Sequence, residues 1–451
     1  MTSYSVSIIG MGYVGLCTAV GFASKACKVV TYDIDHEKLT LINRGIAPFY
    51  EPDLEETLKK TVDEQYLICL PDLEDAILKT DIAFITVGTP SKPDGSIDLS
   101  QVEEAVVRIG DALRKKDKHQ LIVVKSTVIP GTTENVVKPL LEKHSGKHCG
   151  KEFGLCMNPE FLREGSAIHD TLHPDRIVIG ENDKKSGDAL ELFYRSFYGE
   201  EAPPIIRTNL STAELIKYAN NAFLATKISF INTVANICEK IPGADVKTVA
   251  GAIGLDKRIG PLFLNAGLGY GGYCLPKDLK ALISFSKGLG YDPVLLDAVE
   301  DVNEAQPNKA VEIARALLGG LKDKRVAILG LAFKPNTDDI REAVSIKIIR
   351  RLLEEKAKVV AYDPSATDNA RKIFKEEIDF AASAADCLKD TDCCIIVTEW
   401  EEFKNLQPED FIERMRNPLV IDGRRIFNPE LFEDKLKFAA IGLGQPRKTD
   451  P

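Results

Sequence analysis

Residues 6–15 read VSIIGMGYVG, an apolar run that leads into Gly10, Gly12 and Gly15. This order predicts a β-strand, a tight turn and the start of a helix, which together open a Rossmann unit. The first glycine makes the turn, the second admits a pyrophosphate to the backbone, and the third lets helix and strand pack closely. The helix N-terminus offers amide groups and a positive dipole end to phosphate.

An acidic residue ends the next apolar run, KVVTYD (28–33). A carboxylate there accepts hydrogen bonds from a ribose 2′-hydroxyl and repels a 2′-phosphate, which favours NAD over NADP. The spacing therefore predicts NAD binding, against the alternative of an ordinary glycine turn. The predicted cofactor contacts at this point are Gly10, Gly12, Tyr13, Val14, Gly15 and Asp33.

Similar β-branched runs continue through the first part of the chain, at 82–88, 121–127, 153–159 and 176–180. Continuous runs of this kind indicate buried parallel strands, and the amphipathic stretches between them indicate helices on both faces of a sheet. The pattern returns from about Lys322, at 325–333, 358–364, 393–400 and 419–424. There, Gly330 and KVVAYD echo the first unit.

A different pattern separates these two parts. Residues 211–240 contain neither Gly nor Pro and predict one long helix, with Ser211 and Glu214 as a capping box. We therefore predict an α/β protein with two Rossmann-like, doubly wound parallel-sheet domains joined by a central helical domain. The predicted boundaries are 1–206, 207–305 and 306–451, and the polar tail 445–451 is predicted to be disordered.

Composition excludes several classes of function. The formal charge of −10 argues against nucleic acid as a partner. No apolar run approaches the roughly 20 residues of a membrane span, and the first residues lack the features of a signal peptide, so we expect a cytoplasmic protein. The ten cysteines form no framework, so we expect reduced thiols, with Cys393 and Cys394 in a core.

A metal site is the sharper alternative for one cysteine cluster. His144, His148, Cys149 and Cys156 lie close in sequence. Their spacing matches none of the usual zinc motifs, and no second pair follows. We therefore predict no metal.

The stretch LGYGGYCLPKDL (268–279) places a thiol, Cys274, after several glycines. Beside a dinucleotide site, a thiolate can add to an aldehyde and form a thiohemiacetal that still carries a hydride. Loss of that hydride gives a thioester, which water cleaves. Lys277 and Asp278 can tune the thiol or position water. A buried structural cysteine is the alternative.

The long helix carries a polar stripe. Glu214, Lys217 and Asn221 are spaced i, i+3 and i+7, on one helical face. A solvated stripe is the ordinary interpretation. Because the other faces are mostly apolar, we favour a stripe that faces the site.

These stretches together resemble the UDP-glucose 6-dehydrogenase family, within the wider UDP-glucose/GDP-mannose dehydrogenase group. The resemblance covers about residues 4–430, in the order of the family. Its matching stretches are GMGYVG (10–15), VGTP (87–90), KSTVIPGTT (125–133), NPEFLREGSA (158–167), ELIKYANNAF (214–223), RIGPLFLNAGLGYGGYCLPKDL (258–279), GLAFKPNTDDIRE (330–342) and DGRRIF (422–427).

The resemblance implies oxidation of a nucleotide sugar's 6-hydroxymethyl group to a carboxylate, with two NAD reduced. It implies Cys274 as the nucleophile, and Lys217 and Asn221 as the groups that stabilise oxyanion charge. It further implies that Asp278 orders water with the lysine. Thr127 and Glu160 match residues of proton handling and thioester hydrolysis.

The resemblance also implies the binding residues. Further cofactor contacts are Lys38, Thr89, Thr127, Glu164 and Arg341. The nucleotide-sugar contacts are Glu160, Phe161, Leu162, Glu164, Lys217, Asn221, Phe263, Leu264, Gly269, Tyr270, Gly271, Lys334 and Arg424. Arg258 matches a residue that a neighbouring subunit contributes, which implies a homodimer, and the apolar faces of the long helix are its expected core.

Two positions depart from the pattern of many relatives. Tyr270 and Tyr273 stand where those relatives carry phenylalanine and serine. This leaves the sugar open: we favour UDP-glucose, with UDP-N-acetylglucosamine, UDP-N-acetylmannosamine or GDP-mannose as alternatives. The turn at Gly330 lacks the second and third glycines, so we expect a uridine diphosphate there rather than a second dinucleotide, with Lys334 at its phosphates.

Two other classes of protein fit less well. A non-catalytic NAD-binding regulator has no reason to keep Cys274, Lys217, Asn221 and Asp278 together. A one-step alcohol dehydrogenase needs no thiol and would form one NADH per substrate rather than two.

Overall fold

The structure is a computed structural model that describes residues 4–444. The chain divides into two compact units, Met1–Asn220 and Asn221–Pro451. The predicted boundaries of three domains, at about 206 and 305, stay a prediction. The tail that we expect to be disordered lies outside the described residues.

The first unit is built on an eight-stranded sheet with the order β3-β2-β1-β4-β5-β6-β7-β8. The predicted doubly wound sheet is confirmed with one departure, because β7 pairs antiparallel with β6. The remaining pairs are parallel. The strands are β1 Ser5–Ile9, β2 Lys28–Tyr32, β3 Leu67–Cys69, β4 Ile82–Ile85, β5 Gln120–Val124, β6 Phe153–Met157, β7 Ile177–Glu181 and β8 Ile205–Asn209.

Helices cover both faces of this sheet because successive strand residues point to opposite sides. Ile8 packs in one buried cluster with Leu16 and Val20, and Ile9 packs in the other with Val102 and Val106. The helices of this unit are α1 Tyr13–Ser24, α2 His36–Asn43, α3 Leu54–Asp63, α4 Leu73–Leu78, α5 Ser100–Arg114, a π-helix Thr133–Val137, α6 Lys138–Ser145, α7 Ala167–Leu172, α8 Lys184–Tyr198 and a short 3₁₀-helix Gly199–Glu201.

The long helix α9 runs from Leu210 to Cys238 and passes from the first unit into the second. The predicted capping box is wrong. The Asn209 side chain accepts the amide of Thr212 at 2.8 Å, so the helix is capped before Ser211. The stripe of Glu214, Lys217 and Asn221 is buried, so the solvated interpretation is excluded.

The second unit contains a six-stranded parallel sheet with the order β11-β10-β9-β12-β13-β14. Its strands are β9 Arg325–Leu329, β10 Lys358–Tyr362, β11 Asp379–Phe380, β12 Cys393–Ile396, β13 Leu419–Asp422 and β14 Lys437–Ala440. Cys393 and Cys394 are buried in β12, as predicted. This sheet corresponds to the second of the two predicted Rossmann-like sheets.

Helices precede and surround this second sheet. They are α10 Val246–Gly254, α11 Cys274–Gly288, α12 Val294–Ala305, α13 Asn308–Leu318, α14 Val344–Glu354, α15 Thr367–Phe374, α16 Ala384–Leu388, α17 Glu401–Lys404, α18 Pro408–Arg414 and α19 Pro429–Glu433. Within residues 4–444, none of the helices combines the length and the apolarity of a membrane span.

Candidate active site

A cavity of about 430 Å³ lies beside Gly10 and Gly12 of the first unit. Gly10 has φ +101°, a conformation that L side chains rarely adopt. No heavy atom lies within 4 Å of the place that a β-carbon on Gly12 would take, so a phosphate can approach the backbone there. A β-carbon on Gly15 would meet the carbonyl of Gly10, so this glycine serves close packing. These residues fit a dinucleotide.

Asp33 lies in the wall of this cavity, at the end of β2. Its carboxylate accepts the amide of Met11 at 2.6 Å and the amide of Asp35 at 2.9 Å. The Lys38 ammonium lies 3.5 Å from it, so the structure brings two of the predicted cofactor residues together. Met11 was not predicted as a site residue. Its amide orients the Asp33 carboxylate.

Tyr13 is hydrogen-bonded to Glu51, a residue that was also not predicted from the sequence. Its hydroxyl donates to the buried carboxylate of Glu51 at 2.5 Å. Glu51 also accepts the amides of Gly165 and Ala167, each at 2.7 Å. Burial first, and then the hydrogen bond to Glu51, raise the pKa of Tyr13 well above its usual range. Glu51 thus links helix α1, which begins at Tyr13, to the loop that precedes α7.

That loop carries four predicted residues, of which Glu160 is the most enclosed. Its carboxylate lies 2.8 Å from the Lys217 ammonium and accepts the Leu162 amide at 2.5 Å. Burial alone would raise the pKa of Glu160, but the Lys217 charge and these hydrogen bonds hold it below its usual value. The Phe161 ring lies under the Arg176 guanidinium at 3.9 Å and within 5.5 Å of the Lys217 ammonium. Glu164 is half-buried.

Thr89 and Thr127 lie together. The Thr89 hydroxyl donates to the Thr127 carbonyl at 2.8 Å. The loop after Thr127 continues to the π-helix, where the Glu214 carboxylate accepts the amides of Gly131 and Thr133 at 2.5 and 2.7 Å. Burial raises the pKa of Glu214. Glu214 therefore holds this loop rather than capping its own helix.

Lys125 is a third residue that was not predicted as a site residue, although it lies in the quoted stretch 125–133. Its ammonium is buried and donates to Asn158 Oδ1 at 3.1 Å. Burial lowers its pKa to about 8; the Glu160 charge opposes this shift, and the Lys217 charge adds to it. Lys125, Glu160 and Lys217 thus form one electrostatically coupled group in the first unit. A lysine at the end of a buried strand was the available signal.

Cys274 belongs to the second unit, and it begins helix α11 rather than lying within a loop. All ten cysteines of the chain lie within the described residues, and Cys274 is the one that is exposed. Backbone amides and the positive dipole end at a helix N-terminus favour a thiolate. The alternative of a buried structural cysteine is wrong.

Asp278 lies one turn after Cys274 on the same helix. It accepts the Asn221 side-chain amide at 2.6 Å and the Lys277 ammonium at 2.6 Å, and all three side chains are buried. The two helices α9 and α11 are joined by these bonds. Asn221 and Asp278, predicted separately, are therefore direct partners.

The glycines before Cys274 lie against other parts of the same unit. A β-carbon on Gly271 would meet the carbonyl of Glu342, and one on Gly272, with φ +82°, would lie 2.7 Å from the Phe333 ring. Gly269 has φ +101° and meets Asn303 in the same way. The glycines therefore let other parts of this unit come close to the loop.

A second cavity, of about 290 Å³, contains two of the predicted substrate residues, Leu264 and Arg424. The Arg424 guanidinium donates to the carbonyls of Val397 and Gly269 at 2.6 and 3.0 Å. Phe263, next to Leu264, has φ +64°, an uncommon conformation for a non-glycine residue. Lys247 also lines this cavity, which makes it basic.

The remaining predicted residues lie elsewhere in the second unit. Tyr270 is buried, and its backbone exchanges hydrogen bonds with the Asn303 side chain at 2.8 and 3.0 Å. Arg258 is exposed and pairs with Asp256. The Lys334 ammonium lies 5.6 Å from the Phe333 ring.

The turn at Gly330 repeats the geometry of the first unit. The Gly10 amide donates to the Tyr32 carbonyl at 2.8 Å, and the Gly330 amide donates to the Tyr362 carbonyl at 2.9 Å. The counterpart of Asp33 is Asp363, whose carboxylate is enclosed. It accepts the amides of Leu331, Ala332, Ser365 and Ala366 and the Trp400 indole N–H, at 2.7–3.0 Å.

Within the described part of the chain, His, Cys, Asp and Glu side chains form no group of three that could hold a metal ion. His144 contacts Asp111 at 3.4 Å, and Cys156 is buried in β6.

Comparison with known proteins matches the chain to three domain models of one family, the UDP-glucose/GDP-mannose dehydrogenase family. The NAD binding domain matches residues 4–198, the central domain matches 211–305, and the UDP binding domain matches 327–429.

Individual relatives span almost the whole chain. The UDP-glucose 6-dehydrogenase AglM of Haloferax volcanii is 47% identical over 93% of this chain and 96% of its own. The UDP-glucose 6-dehydrogenase TuaD of Bacillus subtilis is 42% identical over 99% and 95%. The solved UDP-glucose dehydrogenase of Pyrobaculum islandicum is 40% identical, with a TM-score of 0.91 over 98% of both chains. The UDP-D-ManNAc dehydrogenase of Pyrococcus horikoshii is 29% identical, with a TM-score of 0.86 over 97% of this chain and 99% of its own.

The cavity beside Gly10 and Gly12 agrees with the NAD binding domain match, and the relatives named above cover 93–99% of this chain. The chain belongs to the UDP-glucose/GDP-mannose dehydrogenase family.

Proposed function

We propose that this chain is an NAD-dependent oxidoreductase that converts the C6 hydroxymethyl group of UDP-glucose to a carboxylate and so forms UDP-glucuronate. The observation that carries the proposal is the exposed Cys274 at the start of α11, with Asp278 one turn further on. A one-step alcohol dehydrogenase would need no such thiol. The names of the relatives at 40–47% identity support the sugar.

The first oxidation removes a proton from the 6-hydroxyl group and a hydride from C6, which leaves an aldehyde. Residues Gly10–Gly15 would hold two NAD molecules in succession, and each would supply the acceptor for one hydride. We assign the proton transfer to water held by Thr127 and Glu160, because Glu160 stays ionised beside Lys217. Lys217 and Asn221 stabilise negative charge on the reacting oxygen.

The second oxidation uses the thiol. The Cys274 sulfur forms a bond to the aldehyde carbon, and the carbonyl oxygen takes up the charge as a thiohemiacetal forms. Loss of the second hydride leaves a thioester. Water then attacks this carbon, the C–S bond breaks, and the thiolate is restored as the carboxylate leaves. Asp278, held by Asn221 and Lys277, orients that water.

The remaining assignments follow the family resemblance. Residues Gly10–Gly15, Asp33, Lys38, Thr89 and Thr127, with Glu164 and Arg341, are proposed to bind NAD. Phe161, Leu162, Phe263, Leu264, Gly269–Gly271, Lys334 and Arg424 are proposed to bind the nucleotide sugar. The basic cavity at Arg424 supports a diphosphate there. UDP-N-acetylhexosamines are the second candidate, because the P. horikoshii relative is named for such a sugar.

We further propose a homodimer formed through α9. Phe223, Phe230 and Ile237 are spaced by seven residues and are 64%, 54% and 54% exposed. Large apolar side chains that repeat at this spacing form one stripe along a helix, which is typical of a helix–helix interface. Arg258, exposed in this chain, is the residue proposed to reach the neighbouring subunit.

The experiment that tests the function counts the NADH formed from a limiting amount of UDP-glucose with excess NAD. Two NADH per sugar support the proposal, and one NADH would indicate a simple alcohol dehydrogenase. Cys274→Ala should then form no UDP-glucuronate, whereas Cys149→Ala, at a half-buried thiol, should keep full activity. No NADH from UDP-glucose, together with NADH from a UDP-N-acetylhexosamine, would overturn the sugar assignment.

A further inference from the structure

The side chain that precedes the proposed nucleophile, Tyr273, lies close to two cations. The Arg341 guanidinium lies 4.4 Å from the centre of the Tyr273 ring, and the Lys277 ammonium lies 5.5 Å from it. Both distances are within the range of a cation–π interaction. A serine at this position would have no ring to offer to either cation.

The backbone reinforces this arrangement. The Gly272 amide donates to the Arg341 carbonyl at 3.0 Å, so the segment that carries Arg341 is joined to the residues just before Cys274. Asp339 also binds the guanidinium, with Nη2–Oδ2 at 2.6 Å and Nε–Oδ1 at 3.0 Å. The guanidinium is therefore held by both a carboxylate and an aromatic ring.

Tyr273 itself remains neutral. Burial raises the pKa of its hydroxyl, and the nearby Lys277 and Arg341 charges only partly offset this. A neutral ring presents its electron-rich face to both cations without cancelling their charge. Serine could accept one hydrogen bond from a cation, but it could not act as a platform for two.

We propose that Tyr273 is a positioning residue that holds Arg341 and Lys277 close to Cys274, so that their positive charges favour the thiolate. This inference rests on the proposed role of Cys274 as the nucleophile. It goes beyond that role because it assigns a function to Tyr273, a residue outside the proposed catalytic and binding sets.

The test compares the rate at which iodoacetamide alkylates Cys274 at pH 7 in the wild type, Tyr273→Phe and Tyr273→Ser. Tyr273→Phe keeps the ring and should react within about twofold of the wild type. Tyr273→Ser should react roughly tenfold more slowly, the scale of one lost cation–π interaction. Mass spectrometry of the tryptic peptide confirms that Cys274 is the residue modified.

Tyr273→Leu serves as a second variant if the serine variant does not fold, because leucine keeps bulk but has no π face. A wild-type rate in Tyr273→Ser or Tyr273→Leu would overturn the proposal. So would an equal loss in Tyr273→Phe, since this would assign the effect to the hydroxyl group rather than to the ring.

Turnover provides an independent measurement. Because Arg341 is predicted to bind NAD, Tyr273→Ser should raise the KM for NAD severalfold, and Tyr273→Phe should restore it. An unchanged KM would contradict the positioning of Arg341. Alkylation requires no substrate, so failure of the UDP-glucose assignment would leave the result for Tyr273 intact, and the two proposals can fail separately.

Discussion

The ammonium of Lys217 lies 2.8 Å from the carboxylate of Glu160, and both side chains are buried. Removal of one partner would leave an uncompensated buried charge, which typically costs about 3–5 kcal/mol. We therefore expect Lys217→Met to lower the free energy of unfolding by that amount at pH 7. The double variant Lys217→Met/Glu160→Gln should recover part of the loss. A denaturant-unfolding cycle measures both, and additive effects of the two substitutions would contradict the pairing.

The same pair predicts a pH dependence. The pKa of Glu160 is lower in the folded state than its usual value, so the pair stabilises the fold fully above that usual value, about 4.3. This stabilisation is lost as the pH falls through the folded pKa. The difference in unfolding free energy between wild type and Glu160→Gln should therefore shrink below about pH 4.

For Lys125 we also expect a pH dependence of stability, with a loss of stability at lower pH that is relieved as the pH rises. Burial lowers its pKa from 10.5 to about 8, so below pH 8 the folded state must hold a disfavoured charge, a cost of roughly 3 kcal/mol. We expect Lys125→Met to gain stability relative to wild type at pH 7, and to lose this gain between about pH 8 and 10.4. Thermal unfolding against pH measures the difference. The exposed Lys151→Met is the matched control, and a gain that does not vary with pH would rule out the lowered pKa.

The Glu51 carboxylate links helix α1 to the loop before α7, and we expect its replacement to weaken this link. Glu51→Gln keeps the shape but turns an NH₂ group toward donors, so one or more of the bonds to Tyr13, Gly165 and Ala167 must break. We expect a loss of about 2–3 kcal/mol in unfolding free energy and a higher KM for NAD. Tyr13→Phe removes one bond and should cost less. Equal losses in the two variants would show that the bonds to the loop contribute nothing.

Asp33 predicts the choice of cofactor. In Asp33→Asn the charge that repels a 2′-phosphate is gone, and a charge-assisted bond to the ribose is weakened. We expect the KM for NAD to rise about tenfold, while the kcat/KM for NADP increases. Initial rates with both cofactors test this, with the exposed Asp117→Asn as control. An unchanged ratio of NAD to NADP use would place the discrimination elsewhere.

The exposed apolar stripe of α9, formed by Phe223, Phe230 and Ile237, leads to a prediction about the oligomeric state. Phe223→Glu/Phe230→Glu should convert a dimer into a monomer, because two buried charges would face the partner helix. Light scattering after size exclusion measures the mass. Leu192→Glu, at an apolar residue of α8 that is also exposed, should leave the mass unchanged. A wild type that is monomeric at all concentrations would rule out the interface.

The features that could be predicted from the sequence are those whose chemistry is local. The glycines of 10–15 and Asp33 lie within one βαβ unit, so their spacing alone predicts a turn, a helix start and an acid at the next strand end. Strand β3 was missed because it has three residues, and β8 because Arg207 interrupts its apolar run and is needed to pair with Glu181.

Contacts between distant segments could not be read in this way. Glu51 and Gly165 are 114 residues apart, and only the crossing of the sheet brings them together. The helix start at Cys274 was hidden because Tyr273 occupies the cap position, where Ser, Thr, Asp or Asn would be the usual signal. The approach of Phe333 and Glu342 to the glycines before it could not be read from the sequence either, because these residues lie far along the chain.

The enclosed carboxylate of Asp363 has a consequence for binding stoichiometry. A carboxylate offers about four lone-pair positions, and Asp363 already accepts five N–H groups of its own unit. It has no capacity left for a ribose hydroxyl. The repeated fold should therefore saturate at one NAD per chain, and high NAD concentrations should not compete with a uridine nucleotide for the second unit.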